Sequence, residues 1–123
     1  MFGVIFKQEA ERMCKMKITS QRKDGKLLIS LKGDIDHHSA KVAIPEISRL
    51  IDRELPQSLI LDFNDVTFMD SSGLAVVIGA FKRANSIDCS FLIINTPKQA
   101  YKVFDAAGIC RLISIKEPEK ILT

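Results

Sequence analysis

Apolar and polar positions divide the chain into alternating and helical stretches. Residues 15–19 alternate (Met16, Ile18), and residues 26–32 alternate more clearly, with Leu27, Ile29 and Leu31 set against Leu28 and Ser30. A period of two predicts half-buried strands, and Lys23-Asp24-Gly25 between them is a hairpin turn signal. Gly33 is read as the close of the second strand, and residues 34–38 (DIDHH) as a polar loop. Ser39 or a neighbour then caps a helix with an apolar face of Ala40, Ala43 or Ile44, Ile47, Leu50 and Ile51. Pro45 interrupts that stripe; it lacks a backbone donor and predicts a kink or a late start. Leu55-Pro56 ends the helix.

Residues 58–63 carry a continuous apolar run, Leu59-Ile60-Leu61, as expected of a central parallel strand covered on both faces. Residues 64–70 are read as the loop that follows. Asp70, Ser71 and Ser72 are good N-cap residues, and Gly73 allows another backbone to come close. From Leu74 the spacing is helical, with Leu74, Val77, Ile78 and Phe81 on one stripe. Gly79 inside that helix costs about 1 kcal/mol relative to Ala, which points to close packing as its reason. Residues 90–94 form a second apolar run, predicted parallel to the first with the helix as crossover. Residues 98–107 are helical, with Ala100, Val103, Phe104 and Ala107 on one face and Gly108 at C′. Residues 112–115 read as a last short strand, and 116–123 as the start of a final turn of helix. The order β-β-α-β-α-β-α-β defines the α/β class. It predicts a mixed four- to five-stranded sheet, opened by a β-hairpin, with helices packed mainly on one face. Residues 1–12, apolar at first and then charged, are set apart as an N-terminal extension.

Composition narrows the function classes. A chain of 123 residues, 46% apolar, suits one domain with its own core. A net charge of +3, one Tyr and no Trp give no basic surface interleaved with aromatics, so direct nucleic-acid binding is not expected. Cys14, Cys89 and Cys110 are odd in number and widely spaced, as small core residues in a reducing compartment are. No stretch is long enough to span a bilayer, and a cytoplasmic location is the expectation.

The candidate chemistry gathers at predicted strand ends. Ser71 lies at the carboxyl edge of a sheet and at the positive end of a helix, where ligands and anions are favoured. A phosphate on that serine is one reading; a plain helix cap is the other. A catalytic serine is disfavoured because G-x-S-x-G is absent and nothing places His37 or His38 beside it. Asp34, Asp36, Asp62, Asp65 and Asp70 suggest a phospho-aspartate receiver, but the opening hairpin and the small number of βα units argue against one; they are read as solvated loop carboxylates. His37-His38 has no third ligand at a useful spacing, and no glycine-rich phosphate loop occurs, so neither a metal nor a cofactor is expected.

Two stretches carry a resemblance. GDIDHHSA (residues 33–40) and DVTFMDSSGLAVVIG (residues 65–79), in this order, resemble motifs of the anti-sigma factor antagonists, or anti-anti-sigma factors, built on a STAS domain. The likeness is strongest to the sporulation members that serve sigma-F, and it runs from about Met13 onward, so residues 13–123 are expected to be the STAS domain. It implies a partner switch. The unphosphorylated protein binds an anti-sigma factor with serine kinase activity and so releases a sigma factor; phosphorylation at Ser71 ends that binding, and a PP2C-type phosphatase restores it. The resemblance further implies a partner surface of Asp36, His37, Asp70, Ser71, Ser72, Gly73 and Leu74, a free chain that is monomeric, and no enzymatic activity of its own. Pro45 departs from the family pattern. The alternative within the same fold is a STAS regulatory subunit of a membrane transporter or stress-signalling complex. Neither reading names the sigma factor.

Overall fold

The computed structural model describes residues 16–117. Strands β1 (Lys17–Lys23) and β2 (Lys26–Ile35) form the expected antiparallel hairpin. Its turn residues Asp24 and Gly25 have φ of 52° and 78°, the left-handed pair that matches strand twist. Helix α1 (His37–Glu54) follows, then strand β3 (Ser58–Met69), helix α2 (Ser72–Ser86), strand β4 (Ser90–Ile94), helix α3 (Lys98–Ala106), a 3₁₀ turn (Ile109–Arg111) and strand β5 (Ser114–Ile115). The five strands lie in chain order across one sheet, with β2 to β5 mutually parallel. Successive right-handed crossovers stepping one way across a sheet put every helix on the same face. The expected final turn beyond Glu117 and the extension at 1–12 lie outside the described residues.

That one-sided cover corrects the reading of residues 58–63. Leu59, Leu61 and Phe63 are fully buried beside Leu27, Ile29, Leu31 and Ile93, while Ile60 and Asp62 on the opposite face remain half-buried. Ile60 pairs with Leu28 and Leu92, so the second apolar row is the far face of the sheet. A continuous apolar run therefore marks a central strand here without two covering layers.

Residues 64–69 are strand, not loop. Against β2, β3 carries extra residues at two register shifts, Ser30/Lys32 and Gly33/Asp34. Each bulge advances the buried side by one position, so the inward residues after Phe63 are Val66 and Met69, at a spacing of three. Asp62 Oδ1 accepts the Asn64 amide (2.9 Å) at the first bulge, and Thr67 donates its hydroxyl to Asp34 (2.5 Å) at the second. Gly33, with φ 106°, lies at a shift inside β2 and does not end it.

The helices correct three further details. α1 runs unbroken through Pro45 and starts on time; Pro45 and Lys41, whose carbonyl it cannot serve, are on the exposed side. In α2 the buried face is Gly73, Val76, Val77, Ala80 and Ala84, a run of small residues against which α1 packs closely. Leu74, Ile78 and Phe81 lie on its flank. Gly79 has open space around its Cα, so close packing is not its reason. In α3, Ala100 and Phe104 are buried, Phe104 against Phe63 (ring centroids 5.8 Å), while Ala107 is exposed.

Candidate functional site

β2 and β3 end together, with Ile35 paired to Met69, and the Asp70 amide donates to the Ile35 carbonyl (3.2 Å). The two chain segments predicted to matter, Asp36-His37 and Asp70-Ser71, thus leave neighbouring parallel strands side by side. Each enters a helix at the carboxyl edge of the sheet, where first-turn amides of α1 and α2 need partners from outside the body of the helix.

At the first junction Asp36 is the N-cap. Its Oδ1 accepts the Ser39 amide (2.9 Å), and that bond holds its carboxyl below the ordinary value of 3.8. Ser39 is fully buried, and its hydroxyl donates to the Asp34 carbonyl (2.7 Å). His37 and His38 open the helix, exposed and edge to face (5.9 Å).

At the second junction Asp70, not a serine, does the capping. Its Oδ1 accepts the Ser72 amide (2.7 Å), and its carbonyl accepts the Gly73 amide (3.0 Å). Ser71 occupies the N-cap position with helical angles (φ −63°, ψ −19°) and makes no side-chain capping bond. A capping serine sits in extended backbone so that its oxygen can turn back on the helix; Ser71 does not have that conformation. Ser71 is exposed. The solvated-loop reading of the aspartates therefore fails for Asp36 and Asp70, which are caps, and for Asp34 and Asp62, which accept side-chain or backbone donors.

Gly73 is needed for a different reason from the one expected. A Cβ there would lie 2.3 Å from Met69 Cγ and 2.6 Å from its sulfur, so a side chain, not a backbone, fills the space. Met69 is fully buried. Its packing against Gly73 sets how closely the start of α2 approaches the end of β3.

Beyond Ser71, Leu74 and Ile78 follow at three and seven residues, on the same side of the helix. Ile78 is 36% exposed and Phe68, just before the junction, 44%. Apolar side chains thus continue the surface that Ser71 heads. The exposure of Ile78 had no signal in the sequence, where it belongs to the apolar stripe of the helix, while Phe68 falls in the stretch read as a loop. Gln99 was also missed: its side chain bonds both backbone groups of Met69. Among the described residues no three His, Cys, Asp or Glu side chains come together as a metal site, and no helix is long and apolar enough to cross a membrane.

Fold and site together define a small α/β module with an exposed serine at a helix start. The family model described as the STAS domain matches residues 17–120, and the chain belongs to that family. A relative from Paenibacillus polymyxa named anti-sigma F factor antagonist is 25% identical over 104 residues, covering 85% of this chain and 89% of its own. The anti-sigma-B factor antagonist of Bacillus subtilis is 26% identical over 100 residues, covering 81% and 90%. Among solved structures, the anti-sigma factor antagonist SpoIIAA in its unphosphorylated form shares the fold, with a TM-score of 0.70 at 23% identity, over 84% of this chain and 88% of that one.

Proposed function

We propose that this protein is a phosphorylatable anti-sigma factor antagonist. In its unphosphorylated state it binds an anti-sigma factor that is also a serine kinase, and the sigma factor held by that kinase is released. The names of the similar proteins support the class of partner. The observation that carries the switch is the Ser71 hydroxyl: exposed, free of the capping role, and at the start of α2.

Phosphoryl transfer from ATP makes a bond from Ser71 Oγ to the γ-phosphorus as the bond to the ADP oxygen breaks, and the hydroxyl proton leaves to a base on the kinase. The product carries about −1.5 to −2 charge. The positive end of α2 stabilises that charge locally, so the domain keeps its fold. Docked against a partner, the same group is crowded and desolvated, and the Asp70 and Asp36 carboxylates stand at the same edge. A hundredfold loss of affinity requires only about 2.8 kcal/mol, which a misplaced interfacial charge supplies. The partner surface in this reading comprises Asp36, His37, Asp70, Ser71, Ser72, Gly73 and Leu74, extended by Ile78. A PP2C-type phosphatase reverses the change.

The test is to incubate the chain with ATP and each anti-sigma factor kinase encoded in its genome, then read the intact mass and the modified peptide. One phosphate on Ser71, lost in Ser71→Ala, with binding to the kinase weakened at least tenfold, is the expected result. A folded chain that accepts no phosphate from any of these kinases, or accepts it elsewhere, overturns the reading.

A further inference from the structure

β3 outruns its neighbour on one side. Its pairing with β4 ends at Asp62 and Ile94, while its pairing with β2 continues to Met69. From Phe63 to Met69 the edge facing away from β2 has no strand beside it among the described residues. The chain leaving β4 turns through Asn95 in the left-handed region (φ 55°), with the Asn95 side chain donating from Nδ2 to Asp62 Oδ1 (3.1 Å), and enters α3 alongside that open edge. Gln99 comes next to Met69. The Met69 amide donates to Gln99 Oε1 (2.8 Å), and Gln99 Nε2 donates to the Met69 carbonyl (2.7 Å).

A side-chain amide that takes both groups of one residue substitutes for a neighbouring strand at a single position. On the other edge, the next residue is held by the Ile35 carbonyl. Met69 and Asp70 are thus fixed from both sides, one residue before Ser71. The clamp matters because Met69 is the side chain against which Gly73 closes. A shift of Met69 along or out of the sheet moves the first turn of α2 with it.

We infer that Gln99 is a positioning residue for the phosphoacceptor: its amide fixes Met69 and thereby the presentation of Ser71 to the kinase. This rests on the reading of Ser71 given above. Gln99 touches no reacting atom. Loss of its clamp leaves Asp36 and His37 in place and misaims the hydroxyl, which lowers kcat more than it raises KM. Gln99 itself is exposed, and its loss frees the N–H and carbonyl of Met69.

The experiment uses the full chain with its kinase and ATP, and two variants. Gln99→Ala removes both bonds. Gln99→Glu keeps the shape and the acceptor, but the ionised carboxylate donates nothing to the Met69 carbonyl and sets a charge against it. Exposed Lys102→Ala on the same helix is the control. Gln99→Ala is expected to lose protection of the Met69 amide against hydrogen exchange, while Gln99→Glu, which keeps the acceptor, retains it; both are expected to show kcat reduced roughly tenfold with a smaller change in KM, less than the hundredfold a 1 Å displacement can cause. The control should match the parent in both. If the parent chain is phosphorylated on Ser71 and the Gln99 variants keep its kcat, the inference falls alone. If kcat drops in Gln99→Ala while Met69 stays protected, the clamp is not the cause and the inference falls again. If the parent takes no phosphate on Ser71, the functional reading fails first and the inference with it.

Discussion

The two strand-to-helix junctions use the same parts to opposite ends. At β2–α1 an aspartate caps the helix and the serine three residues on is buried, its hydroxyl donating to a carbonyl of the strand it has just left. At β3–α2 an aspartate again caps the helix, but the adjacent Ser71 is left exposed with no capping bond. One junction is closed on itself and the other keeps a hydroxyl in reserve. The difference comes from spacing. Asp36 reaches forward over two histidines to an amide at a distance of three residues, which draws the serine inward. Asp70 reaches only two residues, to Ser72, and the residue between them is turned outward. An aspartate cap releases the neighbouring serine from structural duty, so the serine can change its charge without unfolding the helix.

The largest expected effect breaks the packing behind the second junction. Gly73→Ala puts a Cβ into Met69, and Met69 is held by Gln99 and buried, so it cannot retreat cheaply. The variant should lose about 3 kcal/mol in urea unfolding, the upper part of the range for overpacking. A loss under about 0.5 kcal/mol would mean that Met69 moves freely and that the junction is not rigid. Next comes Ser39→Ala, which removes the buried hydroxyl bond of the closed junction. The expected loss is about 1.5 kcal/mol by the same measurement.

Smaller effects sharpen the contrast. Gly79 lies in the same helix as Gly73 but in open space, so Gly79→Ala should stabilise by somewhat under 1 kcal/mol through helix propensity alone. Opposite signs at the two glycines would show that contact, not the helix, decides. The Asp36 cap should appear in the pH dependence. Its carboxyl is lowered by the Ser39 amide, so its contribution is present above the ordinary 3.8 and lost as pH falls through the lowered value. Asp36→Asn caps at any pH. Its deficit against the parent, read from urea midpoints, should therefore shrink between about pH 7 and about pH 3; a deficit that stays constant would refute the assignment.

Much of this was legible in the residues. Leu27, Ile29 and Leu31 announced a strand by period two, Asp24-Gly25 announced its turn, and Asp70 and Ser71 stood where a helix start had to be. What escaped has physical reasons. Phe63, Val66 and Met69 repeat every three residues because each bulge inserts one, and that period belongs to neither helix nor strand. Ile78 sits beside Val77 in the apolar pattern, and only the close approach of α1 to the small residues of α2 decides which of the two is buried. The clamp by Gln99 depends on β3 outrunning β4, a fact of the assembled sheet that no local pattern carries.

The smallest predicted effect is the most discriminating. If Ser71 were the cap of α2, replacing it with alanine would cost about 1 kcal/mol, as lost serine caps do. Its helical backbone angles and the Asp70 bond to the Ser72 amide predict otherwise. Ser71→Ala should fall within about 0.5 kcal/mol of the parent in urea unfolding, the ordinary range for a surface substitution without partners. Ser39→Ala, with the same chemical change one junction away, should fall well outside it. Equal losses at the two serines would erase the distinction between the closed junction and the open one and return Ser71 to the role of a cap. Unequal losses would show that the chain maintains an exposed hydroxyl from which its stability gains nothing, at the place where a helix best accommodates a phosphate.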